Sequence, residues 1–190
     1  MGHQPMTFTS HTRKPRAFLN EAGLYDYAVK SLGRAMRTEA QVRRLMQARV
    51  EPGERGQDVI DAVVRRLREY GYLDDAAYAE TFARLRQENE KLGARTVRQK
   101  LAQKGVARAL VEETVEARYA GVNEEVLARQ YVERKRLRKP EDEKQTARVM
   151  RRLVAAGFST GIIYKILRQW DVSEEALTAL ESVEDGSHEE

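Results

Sequence analysis

The chain contains no cysteine, which excludes disulfides, thiolate nucleophiles and cysteine-ligated metals. Histidine is almost as scarce. His3, His11 and His188 all lie near the ends, so neither a histidine general base nor a buried His-ligated metal is expected. No apolar run approaches the roughly 18 residues of a membrane span. The N-terminal stretch lacks the charged-then-apolar pattern of a secretory signal. Met1-Gly2 opens like a myristoylation site, but Met6 stands where Ser or Thr is required. No Walker phosphate loop, nucleophile elbow or His-Glu-x-x-His helix is present. These absences lead to the expectation of a soluble, cytoplasmic, non-enzymatic protein without cofactor or metal.

What the chain has is charge. Charged residues make up 34% of the 190 positions and hydrophobic ones 41%. The charged share exceeds the usual quarter, and it points to much exposed helical surface around a sufficient core. The formal charge of +4 is unevenly placed. Glu174, Glu175, Glu181, Glu184, Asp185, Glu189 and Glu190 fall in the last 18 residues, which carry no Lys or Arg, so the rest stands at +11. A basic body with an acidic tail suits a polyanion or an acidic protein surface as partner. An ordinary solvated helical surface with a solubilising tail fits the charge equally well.

Hydrophobic periodicity predicts nine helices. Residues 1–20 are polar, with Pro5 and Pro15, and read as a disordered arm in which Arg13, Lys14 and Arg16 are the cations. The first helix is expected from Leu24 to Met36, with Tyr25, Ala28, Leu32 and Met36 on one face. Thr38 can cap a second, carrying Val42, Leu45 and Met46. Residues 50–56, with Pro52, Gly53 and Gly56, make a clear break. A third helix carries Val59, Ile60, Val63, Val64 and Leu67. A fourth begins near Asp74 with Tyr78, Phe82 and Leu85, and Gly93 follows it. A fifth carries Val97 and Leu101 and stops at Gly105. A sixth carries Leu110, Val111, Thr114 and Val115. Asn123 is a credible cap for a seventh with Leu127, Tyr131 and Val132. Pro140 fits the first turn of an eighth, with Val149, Met150, Leu153 and Val154, ended by Gly157. Ser159 or Thr160 caps a ninth with Ile162, Ile163, Ile166, Leu167 and Trp170. A short acidic helix is expected from Ser173.

The helices repeat in threes. Val97 aligns with Val149, Leu101 with Leu153, Gly105-Val106 with Gly157-Phe158, Leu110-Val111 with Ile162-Ile163, and Val115 with Leu167, all at an offset of 52 residues. The preceding helices align Ala79–Phe82 with Ala128–Tyr131 at an offset of 49. The first unit fits through Val42, Met46, Val59, Ile60 and Val64 once the loop at residues 52–56 is treated as an insertion. The period does not suit the shorter tetratricopeptide unit. The organisation expected is all-α: arm 1–20, three-helix modules at 21–73, 74–121 and 122–171, and an acidic tail at 172–190. Tandem modules of this kind form an elongated, curved array.

The joint between the third and fourth helices is the most informative stretch. Gly71 sits where a left-handed residue ends a helix. Tyr72 follows at the position that often packs back onto it. Asp74 can cap the next helix, with Leu73 and Tyr78 spaced as a hydrophobic staple. Asp74 and Asp75 could be imagined as catalytic carboxylates, but no second acid, histidine or metal accompanies them, and capping is the reading adopted. Gly71-Tyr72-Leu73-Asp74-Asp75, followed by Tyr78-Ala79 and Phe82, resembles the central signature of the RecX family, regulators of the RecA recombinase. Residues 93–101 (GARTVRQKL), then Lys104-Gly105, resemble its second block. The resemblance spans roughly residues 24 to 170. The first module departs from it, with Ala48-Arg49-Val50 and an insertion where Lys-Gly is expected. Membership implies tandem three-helix repeats that agree with the periodicity. It also implies binding along a RecA nucleoprotein filament, restraint of strand exchange and coprotease function, and hence regulation of DNA repair, homologous recombination and the SOS response, with no cofactor and no reaction.

Basic residues are the candidate contacts. The second helix of each module is cationic: Arg43 and Arg44 in the first; Arg95, Arg98, Lys100 and Lys104 in the second; Lys144, Arg148, Arg151 and Arg152 in the third. Arg134, Lys135, Arg136, Arg138 and Lys139 form a denser cluster after the seventh helix. Equivalent positions in a repeat array form a stripe suited to a long partner, here the RecA filament and, through the same basic face, DNA. Tyr72, Tyr78, Phe82, Tyr131, Phe158 and Trp170 fall mostly on apolar faces, which assigns them to the core and leaves no base-stacking platform in view. Gly53-Glu54-Arg55-Gly56 matches the bare Gly-x-x-Gly of a KH loop, a weak pattern in a helical context. The alternative function is a DNA-binding helix-turn-helix module acting without RecA, spanning Thr96 to Arg118. Its second helix offers Glu112, Glu113 and Glu116, which repel phosphate. A monomer is expected.

Overall fold

The structure is a computed structural model that describes residues 17–172. Among them are nine α-helices and no strand: α1 Glu21–Leu32, α2 Glu39–Gln47, α3 Glu54–Glu69, α4 Asp75–Glu90, α5 Ala94–Gln103, α6 Arg108–Tyr119, α7 Glu124–Arg134, α8 Glu143–Ala156 and α9 Thr160–Gln169. They follow one another in three groups of three. The acidic segment after Val172, and the short helix expected in it, lie outside the described residues, as does most of the expected arm. Residues 17–20 of that arm belong to the fold instead. Leu19 N donates to Arg49 O at 2.8 Å, and the Asn20 side chain caps α1 by accepting from Gly23 N at 3.0 Å.

The chain divides into two compact units. The first holds the described residues up to Ala35 together with Val42–Tyr72. Here α1 packs on α3, and Leu24, Ala28, Val42, Met46, Val50, Ile60, Val63, Val64 and Leu67 are buried. Each large apolar side chain so placed contributes about 1.5–3 kcal/mol over an exposed one. α1 stops at Leu32, four residues short of the expected end. Gly33 N closes the last turn on Val29 O at 2.9 Å, and Met36, expected on the apolar face, is 56% exposed. The Gly-x-x-Gly stretch is no loop: Glu54, Arg55 and Gly56 form the first turn of α3, which removes the KH reading.

The second unit holds Met36–Gln41 and the described chain from Leu73 onward. In it α4 and α5 pack on α6, α7 and α8 pack on α9, and α5 meets α8. One continuous core runs through all six helices, from Ala79 and Ala83 through Val97, Leu101 and Val115 to Leu153, Phe158 and Leu167. α8 begins at Glu143, capped by Asp142 accepting from Gln145 N at 2.7 Å. Pro140 lies before the helix and is buried, so it takes no place in the first turn.

Two joints in this unit are made the same way. Thr96 Oγ1 donates to Ala155 O at 2.9 Å, and Gly93 N to Ala156 O at 2.8 Å. A Cβ on Gly93 would stand 2.3 Å from Gly157 O. At the other joint Thr38 Oγ1 donates to Lys104 O at 2.6 Å, and a Cβ on Gly105 would stand 2.3 Å from Ala40 Cβ. Each time a threonine hydroxyl supplies a donor to the otherwise unpaired carbonyls at the end of a helix, and glycine permits the close approach.

Candidate basic interface

The signature residues at the α3–α4 joint are structural. Gly71 N donates to Arg68 O at 3.0 Å and Tyr72 N to Leu67 O at 2.8 Å, the paired bonds of a Schellman ending. Gly71 has the required positive φ, +69°. Leu73 is buried. Asp74 caps α4 by accepting from Ala77 N at 2.8 Å. Asp75 reaches elsewhere and accepts from Glu39 N at 2.9 Å, at the start of α2. Both carboxylates are thus turned to backbone N–H groups, where negative charge suits the helix dipole.

The cations fall into four groups. α8 keeps an intact stripe. Lys144, Arg148, Arg151 and Arg152 are exposed, and at about 100° per residue they lie within an arc of about 100°. None has an ion-pair partner among the described residues. α5 does not present its four cations on one face. The two-residue step from Arg98 to Lys100 turns the helix by about 200°, so the four do not share a face; Arg95 is exposed, while Arg98, Lys100 and Lys104 are half-buried. Arg98 is also engaged, its Nε donating to Glu112 Oε2 at 2.7 Å. On α2, Arg43 pairs with Asp61 at 2.5 Å, and that hydrogen bond holds the Asp61 carboxyl below its ordinary value of 3.8. Arg44 is exposed.

The cluster after α7 is held by its own turn. Arg136 takes φ +51°, and Leu137 N returns to Val132 O at 3.0 Å. Arg134, Lys135, Arg136, Arg138 and Lys139 are all exposed. Lys135 stands 5.8 Å from the Tyr131 ring centroid, and Lys139 Nζ lies 3.2 Å from Asp171 Oδ2.

Beside Arg95 and Arg98 opens a cavity of about 540 Å³, walled by Tyr119, Leu127 and Phe158 among others. Its polar groups are largely turned on one another. Glu124 accepts from Ser159 N at 2.7 Å and from Ser159 Oγ at 3.0 Å, and Tyr119 Oη donates to Leu92 O at 2.7 Å. No three His, Asp or Glu side chains converge as metal ligands among the described residues, and no described helix is long and apolar enough to cross a membrane.

The aromatic expectation needs one correction. Tyr131 and Phe158 are buried edge to face, their ring centroids 5.6 Å apart, and Tyr78, Phe82 and Trp170 are partly buried against the core. Tyr72 is not core but 48% exposed. The Schellman turn fixes its backbone without requiring its ring to fold back. Its neighbour Tyr70, which periodicity did not single out, is 64% exposed.

Known proteins resemble this chain in sequence and in fold. A family profile described as "RecX, second three-helix domain" matches residues 74–115, the segment of α4, α5 and most of α6. The chain is 35% identical to the regulatory protein RecX of Thermobifida fusca over 146 residues, covering 74% of this chain and 75% of that protein. It is also 35% identical to that of Thermus thermophilus over 150 residues, covering 78% and 91%. A crystal structure of a regulatory protein RecX superposes with a TM-score of 0.62 at 22% identity, over 78% of this chain and 71% of the other, which supports the fold. With identity at this level over most of both chains and the same all-helical architecture, the protein belongs to the RecX family of regulatory proteins.

Proposed function

We propose that this chain is a non-enzymatic regulator that binds RecA nucleoprotein filaments and inhibits their recombinase and coprotease activities. In this way it modulates recombination, repair and the SOS response, acting as a cytoplasmic monomer. Membership of the RecX family supports RecA as the partner. The observation that carries the contact surface is the α8 stripe, in which four exposed cations share one face without an acidic partner among the described residues. Such a face meets an acidic protein surface or a phosphate backbone without first breaking an internal ion pair. The exposed cluster at residues 134–139 adds to the same unit, and Arg95 extends it. Several weak contacts on one filament would combine through effective concentration.

The helix-turn-helix alternative fares less well. Its second helix, α6, exposes Glu112, Glu113 and Glu116, and Glu112 already holds Arg98.

The test is DNA-dependent ATP hydrolysis by RecA from the same organism, with this protein added to preformed filaments. Inhibition well below one molecule per RecA, with weak binding to bare DNA, is expected. Charge reversal of Lys144, Arg148, Arg151 and Arg152 to Glu should raise the concentration needed for inhibition at least about tenfold without changing helicity, as expected when several desolvated charge contacts are lost. A reversed protein that inhibits as well as the parent would remove the α8 face from the mechanism. No effect of the parent on RecA, with tight salt-sensitive DNA binding, would favour the independent DNA-binding reading.

A further inference from the structure

We propose that the Tyr70-Gly71-Tyr72 turn of the first unit, with Arg65 and Arg66, is a contact site for single-stranded nucleic acid, in which the two phenol rings stack on bases and the guanidinium groups meet phosphates. This inference does not rest on the filament reading.

Three observations carry it. The first is exposure where the local geometry usually gives burial. The residue after the left-handed position of a Schellman ending commonly packs back onto its helix. Val106 and Phe158 hold that position after Gly105 and Gly157 and are buried. Leu137 and Val172 hold it after Arg136 and Asp171 and are partly buried. Tyr72 holds it after Gly71 and stands in solvent beside an even more exposed Tyr70.

The second is order within the patch. The Arg66 guanidinium lies 4.2 Å from the ring centroid of Tyr25 and 5.8 Å from that of Tyr70. It therefore links the two rings by cation–π contact. A guanidinium held by its face keeps N–H edges for phosphate. The Schellman bonds fix the backbone on both sides of Gly71, so little conformational freedom remains to be lost at Tyr72 on binding.

The third is the charge around the rings. Arg66 is exposed beside the Tyr25 and Tyr70 rings. Arg65 is exposed next to it in the chain and acts also on Asp61, and Glu69 is the one acid in the last turn of α3. Asp74 and Asp75, which follow, are engaged by Ala77 N and Glu39 N. Aromatic faces beside a cation suit single strands, whose bases are free to stack on them. Tyrosine and arginine are enriched at protein interfaces too, and a protein surface is therefore the competing occupant that the experiment separates. A duplex hides those faces, which is why the site is assigned to single strands.

The experiment uses the full chain and labelled oligo(dT), oligo(rU) and a blunt hairpin duplex, with affinity read by fluorescence anisotropy over a salt series. The doubly substituted Tyr70→Ala, Tyr72→Ala protein should bind single strands at least about tenfold more weakly, as expected from losing base stacking. The slope of log affinity against log salt should stay unchanged because no phosphate contact is removed. Tyr70→Phe, Tyr72→Phe should restore binding, and duplex binding should not move. Arg65→Glu, Arg66→Glu should weaken binding and flatten the slope. The two oligomers show whether the strand taken is DNA or RNA. Absence of single-strand binding by the parent, or equal binding by the alanine variant, overturns the proposal and points these tyrosines to a protein surface. An equal loss on duplex overturns it too. RecA is absent throughout, so failure here leaves the filament reading standing.

Discussion

Thr38 Oγ1 donates a 2.6 Å hydrogen bond to the carbonyl oxygen of Lys104, 66 residues further along the chain. The hydroxyl oxygen also accepts from Gln41 N at 3.2 Å, while the Gln41 side chain accepts from Thr38 N at 3.1 Å. This is a reciprocal capping box whose cap also closes a distant helix end. Thr38 is fully buried, so its donor and acceptor have no water to fall back on. Thr38→Val should destabilise the fold by about 2–3 kcal/mol, a lost cap together with an orphaned carbonyl. Thr38→Ser should recover most of it. Urea denaturation followed by circular dichroism measures both, and equal midpoints for valine and parent would show that the two bonds are inconsequential.

Two glycines with similar backbone angles should respond differently to the same substitution. Gly71 has φ +69° and open space within 4 Å of where a methyl group would sit, whereas Gly105 has φ +83° with Ala40 Cβ at 2.3 Å from that position. Gly71→Ala therefore meets the left-handed backbone penalty alone, about 1–2 kcal/mol. Gly105→Ala meets that penalty and an overpacked contact, which typically adds about 1–3 kcal/mol. The pair is compared in one denaturation series. An equal loss for both would mean that the Ala40 contact yields at no cost.

Tyr119 links stability to alkaline pH. Burial pushes its phenol up to about 12 from an ordinary 10.0, with Arg118 opposing weakly, and the hydroxyl donates to Leu92 O at 2.7 Å. The folded value exceeds the unfolded one, so the contribution is full below pH 10 and is lost as pH rises toward 12. Tyr119→Phe should cost about 1 kcal/mol near neutrality by leaving the Leu92 carbonyl without its donor. It should also shallow the alkaline fall in stability. Ultraviolet titration of phenolate in the parent should show late-ionising tyrosine, to which Tyr78, also raised by burial, contributes, and the part missing from the phenylalanine variant is assigned to Tyr119.

Glu88 works in the opposite direction. Arg118 Nη2 donates to Glu88 Oε1 at 2.6 Å, and Arg84 Nη1 to Oε2 at 3.3 Å. These bonds, Arg118 first, hold the carboxyl below its ordinary value of 4.5. A depressed folded value gives stability that is present above pH 4.5 and lost as pH falls through the folded value. The pair is exposed, so the effect is small and screened. Thermal melts of Glu88→Gln should fall slightly below the parent at neutral pH, and the gap should close both in acid and in about 1 M salt. A gap that persists in acid would assign the loss to packing instead.

The helices were legible because their signals are local. Asp74, Asn123 and Thr38 cap the helices that their spacing assigned to them, and the apolar periods of α3, α8 and α9 match their buried residues. What the chain does across distance was not legible. Ser159 stands at the start of α9, as spacing suggested, but its hydroxyl bonds Glu124 from α7 instead of capping its own helix. Arg43 and Arg98 read as free cations until Asp61 and Glu112 come beside them. The division of the α5 cations was present in the sequence as the step from Arg98 to Lys100, and helical angle rather than composition reveals it. Tyr72 misled because an apolar residue after a helix-ending glycine usually folds inward, and only the packed chain shows that this one does not.

Gly93 meets the end of α8 through main-chain atoms on both sides. The interval between α5 and α8 is therefore set by these main-chain contacts and the Thr96 hydroxyl, and replacements among the outward-facing arginines leave it in place. The second unit behaves like a ruler whose markings can be repainted but not respaced. Under the function proposed above, charge added to or removed from α8 would tune how tightly a partner is held, while the spacing of α5 and α8 would stay with the Gly93 and Thr96 bonds.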